Sequence, residues 1–557
     1  MKHNATDTVQ ETELKFQVPT AGSAALRRAV GTATAKTTRL QAVYADTAGH
    51  HLAAAGLALR LRKEGRVWVQ TLKGRGDGLM QRLEHEVSLP AQRGTPVIDP
   101  ARHDGTPAGK LLRAALSAAG DGASDTAELL PVYRTDIQRL HRRVRHEGAV
   151  IEIAHDKGRI LAQHLADGQA LVLPVDEIEF ELKSGPAAAL TELAARWVAR
   201  HDLWWDVRTK SERGFRLALG LEQVPATRAA KPPEPRAASD QSLPLAWAAM
   251  LRSALQHALP NLAELAGGCA DAAQAAEHLH QLRVALRRLR TALVLFAPWG
   301  GDAAVGETAL ALEAEWRTVF THLGVSRDAD VLAATWLPRL AAVGGPPLDT
   351  GAVAEQQDVG AVVRQPEVTG LLLRTLALIL SLQVAQAEPA AATSATAAGA
   401  AAASAPPAPA TATAASAPAK LAPAAARVLR KAWQRAWADC KGFDAAPVEQ
   451  QHRARKRLKR LRYALEFTQR AFPRKPVRKL QRRLAAALQV LGEVNDLQTA
   501  RAHFEARALE DPRAWFAVGW LTAQQAPLLR AASRALRALK AVPKPWAKAL
   551  FKGKPAG

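Results

Sequence analysis

Asp176–Ser184 reads DEIEFELKS, an unbroken alternation of charged and apolar residues. In a β-strand successive side chains point to opposite faces. Glu177, Glu179, Glu181 and Lys183 therefore share one face, and Ile178, Phe180 and Leu182 the other. The pattern recurs upstream. ETELKF places Glu11, Glu13 and Lys15 together, LALRLRK places Arg60 with Arg62, and WVQTLKG places Thr71 with Lys73. RLEHEVSL adds Arg82, Glu84 and Glu86, and VIEIAHD adds Glu152 and Asp156.

Two architectures explain such strands. One is an open antiparallel sheet with a wet face. The other is a closed barrel with a polar lumen. Acids and bases share the same face at high density on most of these strands, which favours the lumen. Arginine and lysine in a lumen can grip a phosphate chain. Clustered glutamates without cysteine or histidine suit a hard cation such as Mg²⁺, which prefers carboxylates together with substrate oxygens.

The signature Glu11-Thr-Glu13-Leu-Lys15 is followed by LALRLRK, TLKG (Thr71–Gly74), RLEHEV (Arg82–Val87), IEIAHDKG (Ile151–Gly158), EIEFELKSG (Glu177–Gly185) and TKSERGF (Thr209–Phe215). Over residues 9–220 this series resembles the CYTH family, the triphosphate tunnel metalloenzymes. The resemblance implies an N-terminal antiparallel eight-stranded β-barrel tunnel with flanking helices, an α+β domain that acts on triphosphates with Mg²⁺ or Mn²⁺. It implies Glu11 and Glu13 as metal ligands, joined by Glu179 or Glu181, and a catalytic set of Glu11, Glu13 and Lys15. Lys15, Arg60, Arg62, Lys73, Arg82, Lys183 and Lys210 would grip phosphates, with Arg134 added from a looser match. Glu84, Glu86, Glu152 and Asp156 would complete the acidic lining.

Beyond Gln241 the pattern becomes helical, with Leu and Ala at 3–4 spacing. LHQLRVALRRLRTAL around His280 repeats as QHRARKRLKRLRYAL around His452. Superposing the histidines aligns Arg283, Arg287, Arg288 and Arg290 with Arg455, Lys459, Arg460 and Arg462. Leu282, Leu286, Leu289 and Leu293 fall on Ala454, Leu458, Leu461 and Leu465. Downstream, LGVSRDADVL (Leu323–Leu332) echoes LGEVNDLQTA (Leu491–Ala500) and pairs Asp328 with Asp496. At 3.6 residues per turn, His280, Arg283, Arg287 and Arg290 form one stripe and the leucines another. A basic stripe without carboxylates repels itself and calls for an anion, for which arginine is well shaped. Residues 242–540 resemble the CHAD domain. That resemblance implies an all-α helical bundle of two similar halves whose basic groove binds inorganic polyphosphate through the ten His, Arg and Lys residues aligned above.

The chain of 557 residues is too long for one core. The segmentation reads as a tunnel domain at 1–222, a linker at 223–241, helical halves at 242–386 and 421–545, and between them an Ala/Pro-rich disordered insertion at 387–420. Lys and Arg total 75 against 52 Asp and Glu, a net charge of +23 that implies an acidic partner. Aromatic residues are 5%, which disfavours stacking on bases and hence nucleic acid. Cys269 and Cys440 stand apart from any CxxC or Cys/His cluster, so zinc and a disulfide framework are disfavoured. The opening MKHNATDTVQETELKF has no apolar signal region, and the run Gly370–Ala385 is shorter than the ~20 residues of a bilayer span and contains Arg374. A cytoplasmic protein with no membrane partner is expected, in association with polyphosphate granules.

CYTH fused to CHAD resembles bacterial inorganic triphosphatases. The expected reaction is metal-dependent hydrolysis of inorganic triphosphate, with polyphosphate held by the basic helices. Adenylate cyclase, thiamine triphosphatase and a non-catalytic polyphosphate binder remain as alternatives, and the oligomeric state is left open.

Overall fold

The computed structural model describes residues 9–76, 78–90, 94–118, 128–222, 224–230, 242–324, 332–348, 358–384, 421–547 and 549. They form two compact units. The first comprises Met1–Arg228, Leu255–Leu282 and Gly360–Leu380; the second comprises Ala229–Ala254, Arg283–Val359 and Ser381–Gly557. The expected insertion at 387–420 and Asp328 lie outside the described residues.

The first unit holds the alternating strands. β1 (Val9–Gln17), β2 (Lys36–Asp46), β3 (Ala58–Glu64), β4 (Val67–Arg75), β5 (Gln81–Leu89), β6 (Leu130–His146), β7 (Ala149–Gln163) and β8 (Ala170–Ser184) pair antiparallel in the order β5-β4-β3-β2-β6-β7-β8-β1. Pairing of β1 with β5, Glu11 opposite Arg82, closes the barrel. The two-residue β9 (Trp204–Trp205) adds to β1. The alternation legible in six strands thus belongs to a closed barrel. β2 and β6, whose sequences alternate least clearly, hydrogen-bond to each other.

The apolar faces point outward beneath helices. After α1 (Ser23–Val30) come α2 (His51–Ala54) and α3 (Pro107–Ser117), whose Leu52, Ala108, Leu112 and Ala115 pack with Leu59 and Leu72. Phe180 makes edge contacts with Phe16 and with Trp197 of α4 (Ala187–His201), both at 5.8 Å between ring centroids. Burying these rings is the main driving force for seating the helices. The barrel interior is polar over most of its length and apolar toward one end, where Tyr44, Tyr133, Ile137, Ile160 and Val175 cluster with Ala218. α5 (Lys210–Ala218) packs there, its N-terminus capped by Thr209 Oγ1, which accepts from the Glu212 N–H. Gly214 lies against the Tyr133 ring, where a Cβ would meet it at 2.4 Å, so no larger residue lets α5 sit so close.

Part of the expected linker is pinned within this unit. The Thr227 N–H donates to Asn261 Oδ1, and Asn261 Nδ2 donates back to the Thr227 carbonyl. The apolar helix Pro366–Val384 is long and apolar enough to cross a membrane, yet 56% of its apolar window is buried in the protein. Thr369 is fully buried and accepts from the Trp205 N–H at 3.3 Å, as in a packed core helix.

The second unit is helical, with Ala303–His322, Leu421–Cys440, Val448–Thr468, Arg474–Arg507 and Ala514–Lys540 as its long described elements. Leu286, Leu289 and Leu293, and Ala454, Leu458, Leu461 and Leu465, are each at most 1% exposed. The apolar stripe read from the sequence is therefore a core stripe in both copies.

Candidate active site in the barrel interior

The inner residues of the strands line a cavity of about 1270 Å³. Register stacks them in rows. Glu13 of β1 faces Glu181 of β8, which faces Glu152 of β7. The next row is Lys15 and Glu179; deeper, Gln17 faces Glu177, which faces Asp156, which faces Arg139 of β6. Glu11, Glu13, Lys15, Arg60, Arg62, Lys73, Arg82, Glu84, Glu86, Glu152, Asp156, Glu179, Glu181, Lys183 and Lys210 all line the cavity.

Arg134 does not. It is exposed on the outside of β6, because Tyr133, Thr135, Ile137 and Arg139 carry the inward parity of that strand. The basic residue that β6 contributes is Arg139, whose guanidinium donates to Asp156 at 2.7 Å through two nitrogens and to Glu179 at 2.5 Å. Glu177 and Arg213 were also unassigned by sequence. Glu177 is fully buried, paired with Lys210 and Arg213. Its place on the charged face of DEIEFELKS was the available signal; that of Arg213 was its position within TKSERGF.

The interior divides electrostatically. At one level, Asp156, Glu177 and Glu179 bring carboxylate oxygens within 4.8 Å of one another. Lys210 lies 2.7 Å from Asp156 and 2.8 Å from Glu179, so that with Arg139 and Arg213 three cations meet three carboxylates. Burial would raise Glu177, but Lys210, Lys15 and Arg213 hold it down to about 2. Glu179 lies well below the usual range, Lys210 and Arg139 overcoming burial. Lys15 is itself lowered by burial and donates to the Arg208 carbonyl.

At the other level acids and bases also pair. Lys73 Nζ is shared between Glu11 at 2.9 Å and Glu84 at 3.0 Å, and Arg82 Nε meets Glu13 at 2.6 Å. Burial, with the neighbouring Glu84 carboxyl, pushes Glu11 above the usual carboxylate range despite Lys73. Burial and the Glu11 charge push Glu181 the same way, despite Lys183 at 2.5 Å. The acidic cluster present in the barrel thus joins a group paired with Lys210, Arg139 and Arg213 to a second group in which Glu11 and Glu181 are raised chiefly by burial. All donors are oxygens, as a hard divalent ion requires.

In the second unit the repeated helices meet. Burial first, then Arg455, Arg287 and Arg462, lowers Lys459 to about 6, so four basic side chains from the two copies converge. Tyr463 Oη accepts from Arg287 Nε at 3.4 Å and from Arg462 Nη2 at 3.2 Å. The Phe320 ring lies under Arg283, Arg287 and Arg290, whose guanidinium carbons are 4.4, 5.9 and 5.2 Å from its centroid. Arg455 lies 3.8 Å from Asp496, and His452 is half-buried. His280 is half-buried in the first unit.

Two expectations are corrected here. Arg288 is 2% exposed and bonded to Glu466 at 3.0 Å, so it packs between helices, whereas its counterpart Arg460 is exposed. The arginine stripe also has a carboxylate beside it, since Glu313 accepts from Arg290 at 2.8 Å. The helix Ala303–His322 supplies that acid, which the repeat alone could not reveal.

Two family models match the chain in succession. The CYTH domain family model matches residues 9–214 and the CHAD domain model residues 249–505. An inorganic triphosphatase of Haemophilus influenzae is 30% identical over 177 residues, which are 31% of this chain and 44% of that protein. The chain thus spans under half the length of that relative. The crystal structure of the CHAD domain from the plant Ricinus communis is 28% identical, covering 58% of this chain and 98% of that one, with a TM-score of 0.41. A Hippeastrum protein named as an adenylyl cyclase with a dominant triphosphatase activity is 17% identical, covering 37% and 95%, with a TM-score of 0.25. The chain therefore carries a CYTH domain, of the tunnel family that includes triphosphatases, followed in sequence by a CHAD domain.

Proposed function

We propose that the barrel hydrolyses inorganic triphosphate with the help of Mg²⁺ or Mn²⁺, and that the converging basic helices of the second unit hold inorganic polyphosphate. The observation that carries the first reading is the cavity in which Lys15, Arg60, Arg62, Lys73, Arg82, Arg139, Lys183 and Lys210 face a row of glutamates. Lysines and arginines fixed by carboxylates are pre-positioned for phosphate oxygens and need little reorganisation to stabilise charge there. Hydrolysis breaks the bond from the terminal phosphorus to its bridging oxygen as water adds, releasing orthophosphate and pyrophosphate.

A bound divalent ion would draw off phosphate charge as a Lewis acid, and in this reading Glu11, Glu13 and Glu181 would hold it. We assign it there, and leave Asp156, Glu177 and Glu179 to position Lys210 and Arg139. In this scheme Lys73 and Arg82 neutralise equatorial oxygens and Lys15 and Lys210 bind deeper phosphates. Catalysis would then come from orientation and charge compensation.

The reading of the second unit rests on Arg287, Arg455, Lys459 and Arg462 sharing one neighbourhood. Two free cysteines fit a reducing cytoplasm. We place the protein there, near polyphosphate granules; a tagged copy that stays diffuse in polyphosphate-rich cells contradicts the granule association. The substrate assignment is tested by orthophosphate release from inorganic triphosphate, ATP and thiamine triphosphate, with and without Mg²⁺. Metal-dependent release that prefers inorganic triphosphate supports it, and preference for either organic substrate rejects it.

A further inference from the structure

The first unit contains, besides the barrel, the segment Leu255–Leu282. One carboxylate of that segment, Glu264, is 9% exposed and borders the cavity. Arg216 Nη1 lies 2.8 Å from its Oε1, and Arg208 Nη1 lies 3.6 Å from its Oε2. Between those two arginines in the chain stand Lys210 and Arg213, which hold Asp156, Glu177 and Glu179.

Arg208 is fixed from three further sides. Its Nε and Nη2 donate to Asp206 at 2.9 and 3.0 Å, and its carbonyl accepts from Lys15. Gly267 lies against its guanidinium, where a Cβ would come within 2.4 Å of Nη2. Asp206, 1% exposed, also accepts from Gln17 Nε2 at 3.1 Å. Residues 206–216 therefore form a strap across the deep end of the cavity, and Glu264 is the carboxylate that joins its two ends.

We propose that Glu264 is a positioning residue for triphosphate binding: it clamps Arg208 and Arg216, and so fixes the strap that presents Lys210 and the carbonyl anchoring Lys15. The proposal rests on the barrel interior being a phosphate site. Without Glu264, two half-buried guanidinium groups lose a charged partner beside a cavity already rich in lysine and arginine. The strap then relaxes toward Glu212 and Asp206, and a misplacement on the order of 1 Å is enough to weaken a multidentate grip.

The test uses the full chain, with sodium tripolyphosphate as the probe and no divalent metal, so that affinity is read by calorimetry without turnover. Glu264→Gln keeps the shape and loses the charge. It is expected to weaken binding about tenfold, the scale of one charge-assisted hydrogen bond. Glu264→Asp should restore affinity to within about threefold of wild type, as a residual carboxylate permits. Arg216→Gln removes the same bridge from the other side and carries the test if Glu264→Gln fails to fold. The double variant should bind no worse than the weaker single variant.

Unchanged affinity in Glu264→Gln, or additive losses in the double variant, overturns the proposal, even if thermal stability falls. Wild type that binds tripolyphosphate but hydrolyses no triphosphate sinks the catalytic reading alone, and the affinity comparison still decides the role of Glu264. Wild type that does not bind it overturns the proposal for Glu264, while orthophosphate release with Mg²⁺ decides the catalytic reading separately.

Discussion

Replacing Lys459 by arginine should flatten the pH dependence of polyphosphate binding. Lys459 is lowered from the ordinary 10.5 to about 6, by burial and then by Arg455, Arg287 and Arg462, with Asp496 opposing. At neutral pH it is mostly uncharged in the free protein. A polyanion bound among these residues would restore its charge, so binding takes up a proton. Affinity should then fall as pH rises above 6, by at most about tenfold per pH unit for one linked proton. Partial solvent access reduces that slope. The arginines keep their charge throughout, and His452 is held below its ordinary pKa by burial and neighbouring cations, so it contributes little above neutrality. Calorimetry from pH 6.5 to 8.5 at constant ionic strength, in buffers of different protonation enthalpy, reads both slope and proton uptake. The sign for stability runs the other way. The unfolded chain binds the extra proton between pH 6 and 10.5, so this group's contribution to stability rises with pH across that window. Lys459→Met should therefore be more stable than wild type near pH 6, with the advantage shrinking as pH rises. Equal pH slopes for wild type and Lys459→Arg, without proton uptake, would refute the reasoning.

Other outcomes follow from the pairings. Arg139→Ala leaves Asp156 and Glu179 short of a partner, and should cost about 3 kcal/mol in chemical denaturation as well as activity. Arg134→Ala, on the outside of β6, should change stability by less than about 0.5 kcal/mol and leave phosphate release intact. Arg288→Ala should lower stability by about 2 kcal/mol through loss of the half-buried Glu466 pair, whereas Arg287→Ala should mainly weaken polyphosphate binding, as paired denaturation and binding curves would show. Glu177, held at about 2, contributes stability that is present above its ordinary 4.5 and is lost as pH falls toward 2. That loss should be about 3 kcal/mol at most, and Glu177→Gln should remove this part of the acid transition in denaturation curves.

The barrel was legible where one strand face is charged and the other must be buried. Glu177, Glu179 and Glu181 against Ile178, Phe180 and Leu182 leave only one register. β6 hid its parity because its inner face changes character along its length. Tyr133, Thr135 and Ile137 join the apolar end, and only then does Arg139 enter the charged zone. The loose match therefore fell on Arg134, one residue out of phase. In the helices, the leucine stripe predicted burial because a 3.6-residue period is a local property. Arg288 looked basic and available, and its burial depends on Glu466 and the Phe467 ring, 178 and 179 residues away. Which cations pair with Glu177 and Glu179 was likewise out of reach, since Lys210 and Arg213 come from α5 rather than from the strands carrying those glutamates.

The most direct test of the account is orthophosphate release from inorganic triphosphate across a Mg²⁺ titration, comparing wild type with Glu11→Gln and Glu177→Gln. If Glu11, Glu13 and Glu181 hold the metal, wild type is active only with metal and Glu11→Gln needs about tenfold or more Mg²⁺ to reach half its maximal rate. Glu177→Gln would lose activity without shifting the Mg²⁺ midpoint. Metal-independent release, or a midpoint that moves in Glu177→Gln and not in Glu11→Gln, would contradict the account.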